Sequence, residues 1–351
     1  MDFVPLIDAV GEPSTAMIGG IALGAVFGLA AQRSRFCTRS AIIEAVRDGD
    51  LRAFAVWLAG FATALLCVQA MLDIGELSVT ETRFFSSVQS LSGALIGGLL
   101  FGVGMALTRG CVSRLVVLGA SGNLRAVFCL AVVTLAGWAT FAGALIPLRD
   151  SIAGLWTTAS IGGNDLLAHA GLGRTAGMVA GGALLGAAVA LALVTRASGW
   201  RFFGGVVVGL ALAGGWWFTW QLSQQVFDPV QVESLSFIRP FATTLMLAIG
   251  SLSDTGLDQG LLIGTVAGAA IGALASGEFR IATFSEPGVP SIWRYAAGAA
   301  LMGFGGILAV GCTVGAGLTG GSVLAVSSLT ALAAMMAGAA ATDRIVDAPG
   351  K

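Results

Sequence analysis

Apolar runs near residues 16–32, 52–72, 91–108, 126–147, 175–195, 203–220, 239–252, 260–276, 295–310 and 322–341 follow one another along the chain. Most approach the roughly 20 residues that a helix needs to cross the hydrocarbon core of a membrane. None shows the strict apolar–polar alternation of a membrane barrel strand. Of 351 residues, 56% are hydrophobic and only 11% charged, and mean hydropathy is +0.90. A water-soluble core of that composition would lack the polar residues to cover it, whereas lipid accepts apolar side chains outward on every helix. The expected fold is an all-α polytopic membrane protein in a lipid bilayer.

Charge narrows the partners. The formal net charge is -1, and no basic face or tail is visible, which argues against nucleic acid as a partner. Five cysteines follow no zinc or disulfide spacing, and His169 is the single histidine, so no metal or other cofactor is expected. The acidic start "MDFVPLIDAVGEP" predicts no cleavable signal peptide, with the first hydrophobic helix acting as the insertion signal. Asp2, Asp8 and Glu12 precede that helix, while Arg33, Arg35, Arg39, Arg47 and Arg52 crowd the segment after it. By the positive-inside rule the N terminus is expected outside and the arginine segment in the cytoplasm. The acidic loop of Asp73, Glu76 and Glu81 then falls outside again.

Two stretches interrupt the apolar pattern: "TRGCVSRLVVLGASG" at 108–122 and "AVGCTVGAGLTGGS" at 309–322. A glycine-rich break followed by a short apolar piece reads as a broken or re-entrant helix, tolerated where the freed backbone is buried in protein or lines a cavity. Aligned without gaps, 100–121 and 301–322 share eight of twenty-two residues, including Gly110/Gly311 and Cys111/Cys312. A fainter match sets Gly24 and Gly28 against Gly268 and Gly272. Together they predict one transmembrane domain over 1–351 made of two diverged halves, 16–147 and 175–341, meeting at a site near the midplane.

Cys37, Cys111 and Cys312 each stand where an apolar segment breaks, whereas Cys67 and Cys129 lie inside uninterrupted runs and are expected to be inert packing. At the start of a half-helix a side chain faces free backbone N–H groups and the positive end of the helix dipole, where an anion is stabilised. Gly110 and Gly311 suit open backbone approaching a ligand. Arg109 and Arg114 flank Cys111 and are candidates to attract an anion; Arg35 and Arg39 are expected to signal topology. Glu44, Glu278 and Glu286 are candidates for proton coupling, with loop solvation the simpler expectation. A thiol is a weak S–H donor, poorly matched to a strongly hydrated oxyanion but able to approach a polarisable sulfur. That points to a sulfur-containing anion. Thiolate-bound Cu(I) is the competing cargo, though no Cys-x-x-Cys occurs.

The segments "RSRFCTRSA", "ALTRGCVSRLVVLGASG" and "AVGCTVGAGLTGG" resemble the YeeE/YedE family of bacterial inner-membrane proteins. The resemblance implies an hourglass-like helical fold with inverted repeats and inward-pointing half-helices, N terminus periplasmic and C terminus cytoplasmic. It also implies uptake of thiosulfate. Cys111 would capture the ion in an outer depression, and Cys312 and Cys37 would pass it inward through S–H···S contacts, the thiols acting as neutral donors. A TusA-like cytosolic sulfur carrier is the implied partner, expected as a separate protein because the chain ends at Lys351 soon after its last apolar run. Two alternatives stand beside this: transport of another sulfur or selenium species, and a sulfurtransferase with a persulfide-forming Cys111, which would lack a nearby base such as histidine.

Overall fold

The computed structural model describes residues 2–226, 231–252 and 255–347. Among these the chain is helical with no strands, and nine helical segments are long and apolar enough to cross a membrane. After a short helix α1 (Val4–Val10), α2 (Glu12–Ser34) is the first span, and α3 (Thr38–Asp48) turns away from it at Arg35. Next come α4 (Arg52–Asp73), α5 (Leu91–Leu107), the half-helix α6 (Val112–Ala120) and α7 (Leu124–Phe141). The short α8 (Ile146–Ala153) and α9 (Leu166–His169) lead to α10 (Arg174–Val194) and α11 (Gly199–Ser223). The second part of the chain continues with α12 (Ile238–Ala248), α13 (Leu257–Ala275), α14 (Ile292–Leu308), a π-helical half-helix over Thr313–Gly320, and α15 (Val326–Val346). The chain is thus a multi-pass membrane protein.

The apolar run at 239–252 forms only the 11 residues of α12, about 16 Å of helix. That is half a bilayer core, and α12 packs on α7 and α13 inside the protein.

Small residues set the closest helix pair. Built onto Gly260, Gly264 or Gly268, a Cβ would lie 2.1 Å from the carbonyl oxygens of Met17, Ile21 and Ala25, respectively. On the facing helix, a Cβ on Gly24 would lie 2.4 Å from the Leu261 oxygen. Helices α2 and α13 therefore touch backbone to backbone and run parallel, a contact that glycine at every fourth position permits. Gly24 and Gly28 resemble Gly268 and Gly272 in sequence because they face one shared interface. Elsewhere, α11 packs on α4, α5 on α14 and α15, α14 on α7, and α3 on α15.

Two ends follow from this arrangement. Ser34, Arg35, Glu44, Asp50, Arg52, Arg114, Arg196 and Arg201 line one cavity, and ion pairs at the same end join Arg47 to Asp343 and Arg109 and Arg294 to Asp347. Glu12, at the start of α2, lies at the opposite end in a second cavity with Glu233, Arg239 and Asp258.

Candidate functional site

Each of the three singled-out cysteines is built the same way. A helix ends on a residue in the left-handed region, Arg35 (φ 57°), Arg109 (φ 59°) or Val310 (φ 58°). The following residue then donates its N–H five positions back, Phe36 to Ala31 at 3.1 Å, Gly110 to Met105 at 3.2 Å and Gly311 to Gly306 at 2.8 Å. This closes the helix as a Schellman motif. The cysteine comes next, extended, as the N-cap of the following segment. Left-handed backbone costs a non-glycine residue about 1–2 kcal/mol, so three such turns are held by their surroundings. The helix-closing left-handed residue is not a glycine at any of the three breaks, although Gly311 beside Val310 also has a positive φ of 156°. Gly110 and Gly311 instead leave room for the next half-helix to fold back: a Cβ on Gly311 would lie 2.4 Å from the Ala316 nitrogen, and one on Gly110 3.2 Å from a Leu115 methyl.

The breaks are buried and mostly satisfied. Trp57 Nε1 donates to Thr38 Oγ1 at 3.0 Å beside Cys37. Thr108 Oγ1 donates to the Gly110 carbonyl at 3.0 Å before Cys111. After Cys312, Thr319 Oγ1 donates to the Leu235 carbonyl at 2.6 Å, and Gln69 Nε2 to the Ser322 carbonyl at 2.9 Å. Irregular backbone at membrane depth requires such partners.

Cys37 is 6% exposed, Cys111 1% and Cys312 0%. The Cys37 and Cys111 thiols lie side by side and interact, although they are 74 positions apart in sequence. Cys111 Sγ is also 3.4 Å from Ser113 Oγ. Backbone N–H groups of Ser40 and Arg114 lie near the Cys37 and Cys111 sulfurs, respectively, in the first turns of their half-helices. Arg39 and Arg114 lie within electrostatic reach of Cys37. Cys312 stands apart at the opposite end, where its sulfur accepts from the Gly315 N–H at 3.5 Å.

Arg109 does not join the thiols. Its side chain is 44% exposed and pairs with Asp347 at 3.8 Å, because the left-handed turn sends it to the surface. Arg114, one turn into α6, has a buried Nη1 with no hydrogen-bond partner and lines the cavity of about 580 Å³ at the arginine-rich end. Ser40 lines it too, so the cavity begins next to Cys37. Its acidic Asp50 is tied to Arg52, whose guanidinium holds the Asp50 carboxyl down at about 2; that pair adds no net charge. Arg35, Arg114, Arg196 and Arg201 leave the cavity basic. Glu278 and Glu286 are engaged by Arg35 and by Arg125 and Arg280, while Glu44 lines the cavity. Cys129 is buried among apolar residues and Cys67 packs beside the core. Arg39, read from sequence as a topology signal, is the residue beside the thiols that sequence reasoning missed; its position two after Cys37 was the available clue.

Comparison with known proteins bears on the class of protein. A family model described as sulphur transport matches residues 33–341, a span that holds all three cysteine breaks. The chain is also 25% identical over 328 residues to the thiosulfate transporter TsuA of Spirochaeta thermophila, covering 84% of this chain and 88% of that one. With three half-helix cysteines inside a matched segment that spans most of its length, the chain belongs to the sulphur-transport family, the YeeE/YedE proteins.

Proposed function

We propose that this protein carries thiosulfate across the bacterial inner membrane, passing the ion between buried thiols at half-helix N-termini. The contact between Cys37 and Cys111 carries the reading. Two thiols, each at the first turn of a half-helix, converge at one buried point beside a basic cavity that Ser40 and Arg114 line. A thiosulfate dianion fits that chemistry: its terminal sulfur is polarisable and accepts from S–H groups, its oxygens suit backbone N–H donors, and Arg39 and Arg114 offset its charge. TsuA, by its name a thiosulfate transporter, supports the cargo.

The order of contacts follows from orientation. We place the arginine-rich end in the cytoplasm by the positive-inside rule, which puts the start of α2 outside and the end of α15 inside. Cys111, in contact with Cys37 just past the end of α2, is then an inner thiol. An outer N terminus and an outermost Cys111 exclude one another in this fold. The route we infer runs from Cys312 to the Cys111–Cys37 pair and into the basic cavity, where a TusA-like carrier would accept the ion. The conduit lies between two inverted halves, which we assign to α2–α7 and α11–α15. Reciprocal packing supports that assignment: α2 on α13 is answered by α11 on α4, α5 on α15 by α14 on α7, and α3 on α15 by α12 on α7. Transport rather than chemistry is supported by the sulphur-transport description of the family and by the name of TsuA.

Growth on thiosulfate as sole sulfur source, in a bacterial strain lacking its other uptake systems, tests the reading. Rescue by the wild type and loss of rescue in Cys37→Ala, Cys111→Ala and Cys312→Ala at matched membrane levels is the expected result. No rescue by the wild type would reject the cargo, and rescue by all four would reject the relay.

A further inference from the structure

Around Cys312 several buried polar groups have no partner. Thr313, fully buried, and Ser236, 4% exposed, both have hydroxyls without a hydrogen bond. Thr313 is the first residue of the eight-residue half-helix that Cys312 caps. Ser236 comes from the extended segment before α12 and points at the same first turn: its Oγ lies 2.3 Å from where a Cβ on Gly315 would stand. Arg83, on the loop before α5, adds a guanidinium whose buried Nε and Nη2 are likewise unpartnered. Its side chain lies over the Phe84 ring at 4.8 Å, Phe84 borders Gly320 of the half-helix, and the guanidinium is within electrostatic reach of Cys312, Glu233, Arg239 and Asp258. Glu233 and Asp258 are themselves held by Arg239, which bonds Asp258 at 3.2 Å. Arg83 is thus the guanidinium there with free donors.

Leaving buried donors unmade costs about 1–3 kcal/mol each, and native interiors rarely accumulate several at one place without a ligand or water. The groups gathered here are donors: a guanidinium, two hydroxyls, a thiol and the N-terminal turn of a half-helix. We propose that they form an anion-recognition site, in which Arg83, Ser236 and Thr313 hold the oxygens of a small sulfur oxyanion while Cys312 meets its sulfur. The proposal rests on the transport reading and adds the residues that select the ion at the first thiol. Arg83 supplies charge, the two hydroxyls supply geometry, and the site lies on the side of the protein opposite the Cys37–Cys111 pair.

Uptake of labelled thiosulfate into proteoliposomes, measured against concentration for wild type, Arg83→Gln, Arg83→Lys and the double variant Ser236→Ala/Thr313→Val, tests it. Arg83→Gln should raise the half-saturating concentration tenfold or more while the maximal rate stays within about twofold, because a charge-assisted contact to the ion is lost. Arg83→Lys should recover part of that loss. The double variant should raise the half-saturating concentration three- to tenfold. If wild type transports and both Arg83→Gln and the double variant keep the wild-type concentration dependence, the recognition site is wrong and the transport reading stands. A drop in maximal rate alone, unrelieved by Arg83→Lys, would make Arg83 structural and overturn its assignment. A wild type that moves no thiosulfate would bring down both.

Discussion

Cys111 meets Cys37 because Arg109 turns the chain left-handed two residues earlier. The same turn carries the Arg109 side chain out to Asp347 and leaves Arg114 facing the thiols. Replacing Arg114 by Gln should cut thiosulfate uptake about tenfold, roughly one charge-assisted contact, while Arg109→Gln should stay within twofold; transport assays at matched protein levels would separate them. Cys67→Ala and Cys129→Ala should leave uptake within twofold of wild type, since neither thiol stands at a break. The three cysteines were legible in the sequence as a pattern, a thiol at each interruption of an apolar run. The choice between Arg109 and Arg114 was not, because both flank Cys111 and only the sign of φ decides which side chain points inward. Ser236 was equally hidden, since it reaches the Cys312 half-helix from an element about 80 positions earlier in the chain, with no local motif to mark it.

At the scale of helices, the α2–α13 seam is the tightest contact, and it has no space for a side chain. Gly264→Leu would place several carbons where the Ile21 carbonyl already lies, so the protein should fail to accumulate in the membrane, read by immunoblot and by size-exclusion profile. The repeated glycine spacing is visible in the sequence, where it reads as two copies of one element. The sequence shows that both helices carry small residues at every fourth position; it does not show that they carry them for each other. At the end of α15, Asp343 is 4% exposed and accepts from Arg47 Nε at 3.0 Å, with Arg39 4.0 Å away. Asp343→Asn would remove the charge that holds Arg47 and Arg39, whose side chains are 31% and 17% exposed, a loss of about 1–2 kcal/mol for a partly exposed ion pair. A clearly lowered unfolding temperature in detergent is the expected readout, and an unchanged one would mean that the pair is solvated.

For the whole molecule, composition alone fixed the class: a chain this apolar has to present its helices to lipid. Span number was harder to read, because an 11-residue α12 and a full crossing give similar apolar runs until packing separates them. Direction rests on the arginine-rich end. In a cysteine-free background, Asp50→Cys should be protected from a membrane-impermeant thiol reagent in intact cells and Glu81→Cys should be labelled; the reverse pattern would turn the route around. The central claim is that a sulfur anion passes from thiol to thiol, and uptake of labelled thiosulfate by proteoliposomes containing wild type, Cys111→Ala or Cys111→Ser tests it most directly. The account predicts transport by the wild type, loss of at least tenfold in Cys111→Ala, and little recovery in Cys111→Ser, because a hydroxyl keeps the hydrogen bond and loses the soft sulfur contact. Wild-type rates in Cys111→Ala would contradict it.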